Sequence, residues 1–252
     1  MQSEPMDNLS IAAVSGLRSR MVSLDLLANN LANSATGGYK NDREYYGLYA
    51  SQESQDAAEG EPATTLPVVE RQWTDFSPGV LQTTGNPLDV ALPAKGFFAL
   101  NGPNGTLYTR NGSLQVLASG ELGTSDGYPI QSAGGGTIHT GAAKSITITP
   151  DGVVQQDGQS VGQIGVVDFK STDSLHKVGS TNFENTDPTA VAEPVANPGI
   201  QQGKLEGSNV PVADAAMRLV GVMRQFEMLQ KAIGISSEMD TKSIQEVARV
   251  GA

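Results

Sequence analysis

The chain has 252 residues, no cysteine, and a formal net charge of −11 from 16 basic and 27 acidic residues. That balance argues against a phosphate-tracking surface and against attraction to anionic lipid, so neither nucleic-acid binding nor membrane insertion is expected. Without cysteine there is no disulfide framework, thiolate metal site or cysteine nucleophile, and no stretch approaches the roughly 20 apolar residues of a membrane span.

Residues 1–6 read as a tail stopped by Pro5, with no basic region followed by an apolar block, so no cleaved secretory signal is expected. Asp7 or Asn8 then caps a helix running to about Asn33, where Ser34-Ala35-Thr36-Gly37-Gly38 ends it. Its apolar positions Val14, Leu17, Met21, Leu24, Ala28 and Leu31 alternate at spacings of three and four, one narrow stripe along a helix. Residues 41–65 open with Tyr45, Tyr46 and Tyr49 and then turn polar and acidic, the composition of a linker or mobile arm.

From residue 66 to residue 205 short apolar or alternating runs are punctuated by Asn-Gly and Asp-Gly pairs. These are Asn101-Gly102, Asn104-Gly105, Asn111-Gly112, Asp126-Gly127, Asp151-Gly152 and Asp157-Gly158. Such pairs tolerate positive φ and are the strongest short hairpin signal between β-rich runs. Residues 96–100, 105–109, 146–149 and 164–169 read as strands, and residues 170–200 as loops with one or two edge strands.

The chain then re-enters helix. Ser208 or Asn209 can cap it, Pro211 suits the first turn, and Asp214 favours the positive helix end. Ala215, Leu219, Val222, Phe226, Leu229 and Ile233 form a second stripe with the same three-four alternation, and the Gly234–Ser237 stretch is expected to weaken the helix.

The expected fold class is therefore α+β. A discontinuous domain of paired, coiled-coil-like terminal helices (7–40 and 206–252) accompanies a central antiparallel all-β domain (66–205), with a tail (1–6) and a linker (41–65). A lone two-helix hairpin buries too little to offset the backbone entropy of about 60 ordered residues, so the ends are expected to order against neighbouring copies.

Catalysis finds little support. His139 and His176 are the only histidines, and no nucleophile elbow or zinc-binding His-Glu-x-x-His helix is present. Most of the aspartates follow turn chemistry, and Gly134-Gly135-Gly136 lacks the Lys-Ser/Thr of a phosphate loop. No enzyme activity, cofactor or metal site is expected.

Several segments carry a resemblance. Residues 28–40 read ANNLANSATGGYK and resemble the N-terminal signature of the bacterial flagellar rod and hook proteins, A-N-N-[LI]-A-N-x-x-T-x-G-[FY]-[KR]. Residues 86–92 followed by Gly96-Phe97-Phe98, then residues 108–112, 120–122 and 126–129, resemble the family's β domain. Leu205-Glu206-Gly207-Ser208-Asn209-Val210 resembles the segment that opens its C-terminal helix. The resemblance spans nearly the whole chain in order. Arg224-Gln225-Phe226-Glu227-Met228, and the short connection from Lys40 to Asn86, look most like the proximal-rod member, with the distal rod as alternative.

The resemblance implies a structural subunit, exported through the flagellar type III path, that assembles in the periplasm into a hollow drive shaft. Its implied partners are other copies of itself, other rod proteins and the export apparatus. Val14, Leu17, Met21, Leu24, Ala28, Leu31, Leu219, Val222, Phe226, Leu229 and Ile233 would form a seam within and between subunits. Asn29, Asn30 and Asn33 would pair with backbone or neighbouring subunits, or stay solvated and cap the helix. Gly37, Gly38, Ser208 and Asn209 would turn and cap the chain. A rival reading is a non-flagellar β module on a coiled-coil stalk.

Overall fold

The computed structural model describes residues 5–50, 65–141 and 145–250. The acidic stretch 51–61, most of the tail and part of the expected linker lie outside the described residues. The architecture is α+β and divides into two compact units. Among the described residues no helix is long and apolar enough to cross a membrane.

The first unit takes in α1 (Pro5–Ala32), β1 (Asn41–Ala50), most of β2 (Thr65–Asp75) and α2 (Val212–Val250). β1 and β2 form a two-stranded sheet, where composition had suggested a mobile arm. The Tyr-rich opening of that segment was the strand signal, because aromatics suit a pleated surface. The C-terminal helix α2 runs unbroken for 39 residues through Gly234–Ser237, which was expected to weaken it. Neither Ser208 nor Asn209 caps α2: the helix starts at Val212, and the Ala215 N–H donates to the Pro211 carbonyl at 2.9 Å.

The buried face of α1 departs from the expected stripe. Val14 and Met21 are 60% and 58% exposed and Ala28 is exposed too, whereas Ser19, Ser23, Leu27 and Asn30 are buried. Ser23, Leu27 and Asn30 each sit one residue before a stripe position, roughly 100° around the helix. Small side chains explain the rotation, because they let a partner approach the helix backbone more closely than Val or Met would. Consistent with that, a Cβ placed on Gly16 would lie 3.7 Å from Leu229 Cδ1 of α2.

The second unit comprises Ala32–Asn41 and Thr74–Val210. Its strands are β3 (Leu81–Thr83), β4 (Val90–Ala91), β5 (Phe97–Gly102), β6 (Gly105–Thr109), β7 (Leu114–Val116), β8 (Leu122–Thr124), β9 (Ile146–Ile148), β10 (Val153–Gln156), β11 (Gln159–Gln163), β12 (Val166–Asp168), β13 (Leu175–Val178), β14 (Asn182–Asn185), β15 (Glu193–Pro194), β16 (Gln201–Gln202) and β17 (Lys204–Glu206). An antiparallel six-stranded sheet runs β13-β14-β6-β5-β12-β15, beside a three-stranded sheet β11-β10-β9 and the pairs β4-β16, β3-β17 and β7-β8.

Period-two alternation sends neighbouring side chains of the large sheet to opposite faces. Phe98, Leu100, Leu107 and Val166 join the main core with Leu122, Ile130, Ile138 and Val154. Phe97, Tyr108, Phe169, Leu175 and Phe183 form an aromatic core on the other face, with Phe76 edge-on to Phe97 and Phe183 at 5.4 and 4.9 Å between centroids. The turn pairs act where local chemistry requires them. Asp157 (φ 52°) and Gly158 (φ 79°) make the two-residue turn between β10 and β11, the geometry an Asp-Gly pair favours.

Candidate functional site

Three passages of chain meet in the second unit: residues 37–41 arriving from α1, residues 75–79 following β2, and residues 206–209 leading to α2. Sequence chemistry brings them close. Gly38 adopts φ 69°, and a Cβ there would collide with the backbone of Asn111. A Cβ at Gly79 would likewise run into the Gly207 carbonyl. Backbone bonds follow, with the Gly38 N–H donating to the Glu206 carbonyl at 2.7 Å and the Asn209 N–H to the Tyr39 carbonyl at 3.4 Å.

A buried ionic cluster ties the passages. Lys40 Nζ lies 2.6 Å from Glu206 Oε1 and donates to the Ser77 carbonyl at 2.7 Å. Arg110 Nε donates to Glu206 Oε2 at 2.8 Å, and the Gly79 N–H donates to Oε1 at 2.9 Å. The remaining Arg110 nitrogens donate to the carbonyls of Leu92, Ala94 and Gly96. One carboxylate thus serves two cations in a site closed to water, and carbonyls take up the other donors, as a buried charge requires. Burial pushes the Lys40 ammonium below its ordinary pKa of 10.5, while Glu206 pulls it back up.

Asn209 completes the tie. Its side-chain oxygen accepts from the Asn41 N–H at 2.7 Å, and its amide nitrogen donates to the carbonyls of Asp75 and Ser77 at 2.7 and 3.0 Å. From the β sheet, the Lys177 ammonium donates to the Lys40 carbonyl at 2.7 Å and sits 4.1 Å from the centroid of the Tyr39 ring.

In the first unit Asn30 does comparable work on a strand. Its amide nitrogen donates to the Asp42 carbonyl at 2.7 Å and its oxygen accepts the Asp42 N–H at 3.0 Å, so the side chain imitates a neighbouring strand at the start of β1. Asn29 is exposed, and Asn33 accepts from the Thr36 hydroxyl at 3.3 Å in the turn that ends α1. Gly38 carries the positive φ in that turn; Gly37 does not. The Ser208 hydroxyl accepts from the Val210 N–H at 3.2 Å, a local turn.

Of the α2 stripe, Ala215 is buried and Leu219, Val222, Phe226, Leu229 and Ile233 are half-buried, as are Leu17, Leu24 and Leu31 of α1. A second set of apolar residues, interleaved with Arg224 and Lys231, is exposed on α2. Met217 and Met228 are 68% and 61% exposed, with Ile235 and Met239 on the same side. Met217 and Phe226 are nine residues apart, half a turn out of phase at about 100° per residue, so the two faces are opposite.

Sequence reasoning missed Lys40, Arg110 and Glu206 as a unit, although each stands in a segment singled out above. The available signal was an ionisable residue within two positions of a glycine in three such segments, Gly38-Tyr39-Lys40, Arg110-Asn111-Gly112 and Glu206-Gly207. Both histidines are exposed, His139 at 3.8 Å from Glu121 and His176 on edge strand β13.

Comparison with known proteins assigns this arrangement. Residues 91–156 match the flagellar hook protein FlgE/F/G D1 domain, and residues 201–246 match the C-terminal domain of the flagellar basal body rod FlgEFG proteins. The chain is 30% identical to the flagellar basal-body rod protein FlgG of Bacillus subtilis strain 168, over 90% of this chain and 94% of the relative. It is 30% identical to the rod protein FlgF of Caulobacter vibrioides over 97% of this chain and all of the relative. The FlgG of Agrobacterium fabrum is 32% identical over 93% and 97%. The second of these matched regions contains Glu206 and Asn209, and the chain belongs to the flagellar basal-body rod and hook protein family, as a structural subunit of the rod.

Proposed function

We propose that this subunit polymerises axially into a hollow periplasmic shaft that transmits motor torque and lets export substrates pass. The observation that carries this reading is the two-faced α2. On the side opposite its apolar stripe, Met217, Met228, Ile235 and Met239 remain exposed among Arg224 and Lys231 within the single chain, so both sides of the helix offer apolar groups for a partner to cover. Exposed Val14, Met21 and Ala28 on α1 support the same conclusion. In this reading the terminal helices (7–40 and 206–252) form the assembly domain, paired in a coiled-coil-like manner with Gly16 opposite Leu229. The β-rich part (66–205) forms the outer layer.

The assembly residues are the two stripes, Val14 to Leu31 and Leu219 to Ile233, with the Met face of α2 added. Other copies and other rod proteins cover them, after export through the flagellar type III apparatus. Phe226-Glu227-Met228 and the short connection from Lys40 to Asn86 favour the proximal rod.

Electron microscopy of basal bodies carrying a label on this chain tests the proposal. Label near the motor end of the rod is expected, and label confined to the hook end would reassign the segment. Complete rods and normal swimming after deletion of the gene would overturn the shaft reading.

A further inference from the structure

We infer that Glu206, with Lys40, Arg110 and Asn209, is a mechanical joint that shares load among the three chain passages and anchors it in the β core. The inference rests on the shaft reading, in which force reaches the β unit through the chain segments that connect it to the helices.

The connectivity sets the problem. The chain leaves the β unit after Asn41, re-enters at Thr74 and leaves again after Val210. A pull applied through these connections would otherwise fall on whichever segment tightens first. The cluster prevents that by cross-linking all three. Glu206 belongs to the last passage, Lys40 to the first, and both hold the middle one, Lys40 through the Ser77 carbonyl and Glu206 through the Gly79 N–H. Asn209 repeats the three-way link three residues further on, joining Asn41, Asp75 and Ser77.

Arg110 supplies the anchor. It follows β6 of the six-stranded sheet directly, and its guanidinium grips Glu206 on one side and the 92–96 turn on the other. Force arriving at residue 206 therefore passes into the strand that carries Leu107 and Tyr108, one in each core.

Equilibrium stability alone gives little reason for charges here. Well-packed apolar residues of similar volume often stabilise as much as a buried ion group, without its desolvation cost. What ions and a forked guanidinium add is fixed direction, several short bonds that must be broken together when the passages are pulled.

The chain has no cysteine, so two introduced ones give unique handles. Ala133 is exposed in the β unit and Val212 is exposed at the start of α2, and full-length A133C/V212C can be held at constant force between them. The comparison pairs Glu206→Gln with Leu100→Ala, a core truncation whose melting temperature is matched by solvent conditions. Glu206→Gln is expected to shorten the lifetime under force about tenfold or more relative to the matched core variant. Equal lifetimes for Glu206→Gln and Leu100→Ala at equal melting temperature would overturn the inference. If Glu206→Gln does not fold, Asn209→Ala is measured against its own matched core variant, and equal lifetimes again overturn it. The measurement needs no rod, so its failure is distinct from loss of the shaft reading, which the basal-body images decide.

Discussion

The β unit and the helical unit bury their apolar groups to different extents. In the β unit the sheet carries a core on each face, and even its buried ions have partners within the chain. In the helical unit α2 keeps Met217, Met228, Ile235 and Met239 exposed, and α1 turns serines inward while Val14 and Met21 face out. One unit closes two apolar cores within a single copy. The other leaves more apolar side chains uncovered along its helices, which is the feature behind the proposal that polymerisation uses them.

The sharpest way to break this comparison is a charge in the helical stripes. Leu24→Asp or Phe226→Asp would bury an unpaired carboxylate in the assembled seam, so rods should be lost entirely while the β unit melts as before. Basal bodies imaged from each mutant check the first half and β-sheet circular dichroism the second. Normal rods from either mutant would remove the seam.

Next comes the reverse experiment. Glu206→Ala strands Lys40 and Arg110 without their shared anion, and breaking such a buried group costs about 3–5 kcal/mol. Urea unfolding of the β unit should move by that amount. Trp73, the sole tryptophan, belongs to the helical unit, so its fluorescence gives an independent reading of the other region. A smaller effect is expected for Asn30→Ala, which frees the Asp42 N–H and carbonyl at about 1–3 kcal/mol. That change should appear in Trp73 fluorescence and leave the β transition in place.

The smallest effect is a pH dependence. Because burial holds Lys40 below 10.5, the folded chain gives up this proton before the unfolded chain does. The unfolded state then binds more protons in the window just below 10.5, so stability rises with pH there and the contribution is constant at lower pH. The urea midpoint of the parent should climb relative to Lys40→Met as pH is raised into that window. A parallel pair of curves would show that Lys40 titrates as it does in the unfolded chain.

Much of the architecture was legible because its causes are local. The Asp157-Gly158 turn needs only two adjacent residues that accept positive φ, and the two long helices declare themselves by spacing. The buried face of α1 was misread because apolar periodicity weights size. Val14 and Met21 dominate the pattern, yet Gly16, Ser19 and Ser23 are what let another segment come close. The strand β1 was misjudged for a related reason, since the acidic run after it outweighed three tyrosines. The ionic cluster was least legible of all. Lys40 and Glu206 are 166 positions apart, and nothing in either neighbourhood announces the other.

That separation also dates the completion of the fold. Ile200 in the main core, the pairing of β16 with β4 and of β17 with β3, and the carboxylate that neutralises Lys40 all come from residues 200–206. A chain delivered from its N-terminus carries Lys40 and Arg110 as unmatched cations until four-fifths of its length has arrived. Contacts so distant close slowly. The β unit is thus a structure whose last sentence supplies the verb, kept open by its own sequence order until nearly everything but α2 is present.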